Sequence, residues 1–255
     1  MSINITVICS VHTNIELLPH FLDHYKKFGV TNFVLGIWNG ANNPVWDQIA
    51  QYNDPTIRLC KSYDEPLSGA PEAAFTNRIR EELSPNDWYI PTDLDEFHVV
   101  PGYDNVRDLI RDMDLFNIDF LRGTLVDRTT HDGSIPLHIT PTPTIWEQFP
   151  NQTNITKSLL WACDEKISLA RQSVKILEGH HWTEYFKWTE HCRDGYSWLN
   201  YQFKKSSLTH HFKWFGNLLE KEETKLARYK NLGLGYYTEN QRLVDHLKSH
   251  GGRLF

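Results

Sequence analysis

Three carboxylates fall within four positions, at Asp93, Asp95 and Glu96. Apolar residues flank them on both sides: Trp88, Tyr89 and Ile90 before, Phe97, Val99 and Val100 after. Carboxylates crowded together repel and raise one another's proton affinity unless a cation neutralises them. Oxygen ligands select hard divalent ions, and Mg2+ or Mn2+ leaves coordination positions open for phosphate oxygens. If the chain runs extended here, Asp93 and Asp95 share one face and Glu96 takes the other. A solvated acidic turn is the bland alternative, and the apolar flanks count against it. An EF-hand loop does not fit, because Phe97 stands where an oxygen ligand belongs and His98 where the tight-turn glycine belongs.

The elements that must position these groups alternate between two periods. Ile5 to Val11 is a short apolar run, followed by Leu18, Phe21, Leu22, Tyr25 and Phe28 at helical spacing and then by Gly29, a helix stop. "NFVLGIW" (32–38) reads as a second strand closed by the turn-rich "NGANNP", with a short helix over Val45 to Tyr52. "TIRLC" is a third strand, and Pro71 to Leu83 a helix with Ala74, Phe75, Ile79 and Leu83 inward. "SPND" makes a turn before a fourth strand, "WYIPT". This alternation predicts an α/β fold with a mostly parallel, twisted sheet and helices on both faces. Ligands of such sheets bind outside the carboxyl ends of the strands, where Asp93 and Asp95 fall. Farther on, "GNLLEKEETKLARYKN" is an amphipathic helix, and "TENQRLVDHLK" carries a Thr238/Gln241 capping box.

Composition narrows the function classes. The 255 residues suit a single domain or a core with an appended lobe, and 40% hydrophobic content with nine Trp and thirteen Phe argues against disorder. A net charge of -6 supplies no global attraction for nucleic acid. Cys9, Cys60, Cys163 and Cys192 form no C-x-x-C pair, so free thiols in a reducing compartment are expected. The apolar N-terminus lacks a basic region and reads as a strand, which points to a cytoplasmic protein and demotes the sequons at Asn4, Asn151 and Asn154. No run reaches the length of a membrane span. Basic residues on the C-terminal helices could graze an anionic membrane, but interspersed acids make a solvated face the default.

"DLDEF" after an apolar strand, preceded by "FLDHYKKFGVTNFVLGIWNG" (21–40), resembles glycosyltransferases of the GT-A fold, of the family 2 and family 92-like kinds. "KISLARQSVKILEGHH" (166–181) and "LTHHFKWF" (208–215) are similar to the family's basic strand leading to a histidine and to its later histidine segment. The chain departs from the family at Thr13-Asn14, where relatives often have Asn-Glu, and at "WNGANN", which replaces an acidic turn.

The resemblance implies one Rossmann-like glycosyltransferase domain over 1–255, with 1–100 binding the nucleotide sugar and 101–255 serving the acceptor. It implies a metal-dependent transfer, by Mn2+ or Mg2+, from a nucleotide sugar to a glycan or other hydroxyl acceptor, as in polysaccharide biosynthesis. Asp95 would bind the metal, Asp93 the metal or the donor ribose, and Asn39 the donor. His211 matches best as a third metal ligand, with His210 and His180 as rivals. Arg78 and Lys166 could pair with the diphosphate, although Arg78 could instead pair with Glu81 or Glu82 on its own helix. An inverting reaction needs a base, for which Asp127 at a strand end is preferred over Asp132 in an Asp-Gly turn. Trp182, Tyr185, Phe186, Trp188, Tyr196, Trp198, Tyr201 and Trp214 are mostly core by their size, with one or two available as a sugar platform. Two further classes compete: a phosphohydrolase with Asp93 as nucleophile, and a noncatalytic sugar-binding module.

Overall fold

The computed structural model describes residues 3–63, 69–184 and 207–255. Its strands are β1 (Ile5–Val11), β2 (Asn32–Ile37), β3 (Ile57–Lys61), β4 (Trp88–Asp93), β5 (Glu96–Val99), β6 (Phe120–Thr129), β7 (Asn151–Thr153), β8 (Glu165–Arg171) and β9 (Ser207–His211). They form one sheet in the order β3-β2-β1-β4-β8-β6-β9-β5, with β7 paired to β6. The first four strands of that order run parallel, and β8 turns the sheet antiparallel against β4 and β6. β1 sits centrally and is buried along its whole length, which suits a β-branched, apolar run covered on both faces. The α/β class, a mostly parallel central sheet flanked by helices, agrees with the sequence.

The helices are α1 (Leu18–Lys27), α2 (Pro44–Ala50), α3 (Gly69–Glu81), α4 (Val106–Leu115), α5 (Ile145–Gln148), α6 (Ile155–Ser158), α7 (Leu218–Asn231) and α8 (Tyr237–Ser249). α1 buries Leu18, Phe21, Leu22 and Tyr25 as its period predicts, and Gly29 follows it at φ 97°, a conformation glycine adopts without a Cβ clash. α3 departs from expectation. Phe75 and Ile79 are inward, but Ala74 is exposed, and Glu72, Thr76 and Asn77 are buried beside the apolar residues. The expected capping box of α8 is also absent, because Thr238 lies inside the helix and its hydroxyl donates to the Gly235 carbonyl. A capping box forms instead at α5, between Thr144 and Glu147.

The chain separates into two compact units, one of residues 1–124 and 165–209, the other of 125–164 and 210–255. The core of the first gathers Ile8, Val34, Phe75, Ile79, Tyr89, Phe120 and Ile167. That of the second gathers Ile155, Leu160, Trp214, Leu218, Leu243 and Leu247. Cys9 and Cys60 are free thiols, and Cys192 lies outside the described residues. Among the described residues no helix is long and apolar enough to cross a membrane.

Candidate active site

The chain is not extended through the acidic stretch. β4 ends at Asp93, Leu94 and Asp95 form a turn, and β5 begins at Glu96. The turn undoes the alternation that would have set Asp93 and Asp95 side by side. Asp93 and Glu96 meet instead on one cation, the Lys166 ammonium, at 3.2 and 2.8 Å. β4 pairs with β8 only at Trp88–Arg171 and Tyr89–Ala170, and Pro91, with no N–H, cannot lengthen a ladder. Lys166 and Glu96 are buried, whereas the Asp93 side chain keeps 32% of its surface. Asp93 therefore presents the open edge of the ion cluster.

Two further groups converge on Asp93. Ligand atoms of Glu72, Asp93 and His180 all lie within 4.8 Å of one another. Burial, then the Asp93 charge, pushes the Glu72 carboxyl well above its ordinary range, so it stays protonated and hydrogen-bonds to Asp93. Burial would raise Asp93 too. Lys166, His180 and the Glu72 hydrogen bond outweigh it and hold Asp93 far below the usual carboxylate range. Burial takes His180 down to about 4, so its ring is neutral at physiological pH. Lys166 keeps its proton because Glu96 and Asp93 more than offset the loss of hydration.

Helix α3 sets this geometry. Glu72 and Thr76 are four residues apart and share a face, and Asn77 follows. The Asn77 side chain accepts from the Ile176 N–H at 3.0 Å and donates to the Ile176 carbonyl at 2.7 Å, fastening the segment that ends in His180. Thr76 Oγ1 then meets His180 Nε2 at 3.1 Å. The other ring nitrogen, Nδ1, is buried with no hydrogen-bond partner. His180 also holds a left-handed backbone, φ 57°, uncommon for a residue with a side chain. A neutral imidazole oriented by a hydroxyl, with a ring nitrogen within 4.8 Å of the ligand oxygens of two carboxylates, fits a divalent cation.

Glu72 was not singled out from the sequence, where a lone helical glutamate reads as solvated; in the structure it is buried with Thr76 and Asn77 on the same helix. Aromatic groups at the carboxyl ends of β1, β2 and β3 were also missed. His12 Nε2 meets the Tyr63 hydroxyl at 2.8 Å, and the His12 ring lies 5.9 Å from Trp38 and 5.7 Å from Tyr63. Asn39 stands next to Trp38 in a left-handed turn, its N–H bonded to the Tyr63 carbonyl.

The remaining predicted residues are placed as follows. Asp95 is half-buried in the turn and outside the three-residue cluster. Arg78 does not pair with Glu81 or Glu82, which are taken by Arg80 and Arg58; it is exposed and bonds the Lys61 carbonyl. His210, His211, Asp127 and Asp132 all belong to the second unit. Asp127 is fully buried, accepts from the Thr156 N–H and hydroxyl, and lies 3.4 Å from His211 Nδ1; it does not pair with Arg128. Asp132 is exposed, capped by Ser134 and paired with Arg253. Trp182 is half-buried and Trp214 is core, while the other six candidate sugar-stacking aromatics lie outside the described residues. Two grooves of the first unit lie at the amino ends of β1–β3 and along α4, away from these groups.

No protein-family model matches the chain, and no curated protein does. Among solved structures it is similar to a 4-diphosphocytidyl-2C-methyl-D-erythritol synthase, at 12% identity over 67% of this chain and 76% of that one, with a TM-score of 0.38. It is similar to S. aureus TarS at 12% identity over 97% of this chain and 43% of that one, TM-score 0.38. The 1-349 form of TarS in complex with UDP-GlcNAc gives 13% identity over 67% and 46%, TM-score 0.35. The chain thus spans under half of each of these two TarS chains. Likeness at this level extends no further than the fold class.

Proposed function

We propose that this chain is a metal-dependent glycosyltransferase of the GT-A kind, moving a sugar from a nucleotide sugar to a hydroxyl acceptor. The observation that carries the reading is the convergence of Glu72, Asp93 and a ring nitrogen of His180 at the carboxyl end of β4, the ligand-binding end of a parallel sheet. Glu72, Asp93 and His180 would hold Mn2+ or Mg2+, with Asp95 two residues on toward the donor. Bound there, the ion would supply charge stabilisation to a departing nucleoside diphosphate.

The protein groups around it have separable tasks. Lys166 offsets one of the two charges of Glu96 and Asp93, so three carboxylates against one ammonium suit a doubly charged ion once Glu72 gives up its proton. Thr76 fixes the ring orientation of His180. His12, Trp38 and Tyr63, with Asn39, offer a nucleobase stacking and hydrogen bonds at the strand ends. A phosphohydrolase would need an open nucleophilic oxygen on Asp93. Here Glu72 and Lys166 both bond that carboxylate, which disfavours attack.

Incubation with a panel of nucleotide sugars, with Mn2+ or Mg2+ and with chelator, tests the reading through release of nucleoside diphosphate. Release is expected only with metal and is expected to disappear in Asp93→Asn. A protein that binds nucleotide sugars without any turnover would be a sugar-binding module, and release of inorganic phosphate from phosphomonoesters would favour the hydrolase.

A further inference from the structure

Arg128 is a buried cation that pairs with no carboxylate among the described residues. It lies on β6 next to Asp127, and because side chains alternate along a strand it faces the other way. The residue keeps 6% of its surface. Its guanidinium carbon lies 5.2 Å from the Trp146 ring centre and 6.0 Å from that of Phe212. Nε has no hydrogen-bond partner, and no carboxylate pairs with Arg128 among the described residues. Burial lowers its proton affinity with no neighbouring charge to restore it. Guanidinium groups this deeply placed are ordinarily matched by a carboxylate fork, so this one has its faces held by rings and its donor edge unmatched.

The setting is rigid and local to the second unit. Trp146 sits on α5, whose start is fixed by the Thr144–Glu147 capping box, and its ring packs edge-on against His210 at 5.0 Å and Phe212 at 5.1 Å. His210 and Phe212 are two residues apart at the end of β9. A planar, always-charged fork fixed in advance binds a planar or tetrahedral oxyanion with little ordering cost.

We propose that Arg128, braced by Trp146 and Phe212, is an oxyanion-binding site that takes a phosphate or carboxylate group carried by the acceptor. The words "carried by the acceptor" rest on the transferase reading; the anion site does not.

The test is an NMR titration of the Arg Nε–H resonances with inorganic phosphate and with acetate, at constant ionic strength against chloride. The Arg128 signal, assigned by its loss in Arg128→Lys, is expected to shift saturably with at least one of the two anions. Arg128→Gln is expected to weaken binding of that anion at least tenfold, and Asp93→Asn to leave it unchanged. Absence of a saturable shift in the wild-type protein, which needs no variant to fold, overturns the site, as does equal affinity in a folded Arg128→Gln. Anion binding at Arg128 without nucleoside diphosphate release would remove the transferase reading and keep the site; release without anion binding would do the reverse.

Discussion

His180, in the proposed metal site, owes its ring orientation to one hydroxyl, that of Thr76. Removing that hydroxyl in Thr76→Val leaves the volume nearly unchanged and frees the ring, so Mn2+ affinity is expected to fall about 10- to 100-fold, the scale of losses when a ligand's supporting partner is removed. Calorimetry on the folded variant reads this directly, and unchanged affinity would take His180 out of the metal site. Lys166 presents the opposite situation, a charge needed by its neighbours. Lys166→Met strands Glu96 and Asp93 in a buried setting and is expected to cost about 3–5 kcal/mol in urea unfolding. Added Mn2+ should recover more stability in that variant than in the wild type, because a cation is what the site then lacks. Equal recovery in both would mean that the metal does not meet these carboxylates.

The elements meet the site through close contact between α3 and the sheet. A Cβ on Gly36 of β2 would fall 2.3 Å from the Phe75 ring, so Gly36→Ala is expected to push α3 outward and cost about 1–3 kcal/mol by thermal unfolding. Since α3 carries Glu72 and Thr76, metal affinity should fall with it; a stability loss with full metal affinity would show that the helix adjusts without moving those residues. α1, α3 and the first four strands were legible because each carries its own period and its own stop. The turn at Leu94–Asp95 was not, since no glycine or proline marks it and alternation continued through it on paper. β8 and β6 were read as a basic strand and as the strand ending at Asp127, but their antiparallel pairing was not legible, because antiparallel partners far apart in sequence leave no local signature. Within the site, Asp93 was visible from its crowded carboxylates and His180 only as a rival to His211. Glu72 was invisible because nothing local distinguishes a buried helical glutamate from a solvated one.

Across the whole molecule, burial keeps His98 neutral down to about 3 and His180 down to about 4. An unfolded chain binds protons at these side chains near pH 6.5, so between about 6.5 and 4 the unfolded state carries more protons and stability falls as pH falls. Each such histidine contributes up to about 1.4 kcal/mol per pH unit in that window. Glu72, whose raised proton affinity favours the folded state at low pH, offsets part of it. The urea midpoint is therefore expected to be lower at pH 5.5 than at 7.5, and an equal or higher midpoint at 5.5 would mean that these rings are charged in the native state. The interleaving of the two units bears on how the chain is made. Passage from one unit to the other occurs at 124/125, 164/165 and 209/210, so each core is assembled from two separated stretches. During vectorial synthesis the first core lacks Ile167, Val174 and Ile176 until these have left the ribosome, and the residues destined for it at 1–124 wait with unpaired strand edges meanwhile. Expression trials that cut the gene at 124 or 164 should yield insoluble fragments, and the intact chain should depend on holding chaperones more than its modest length suggests.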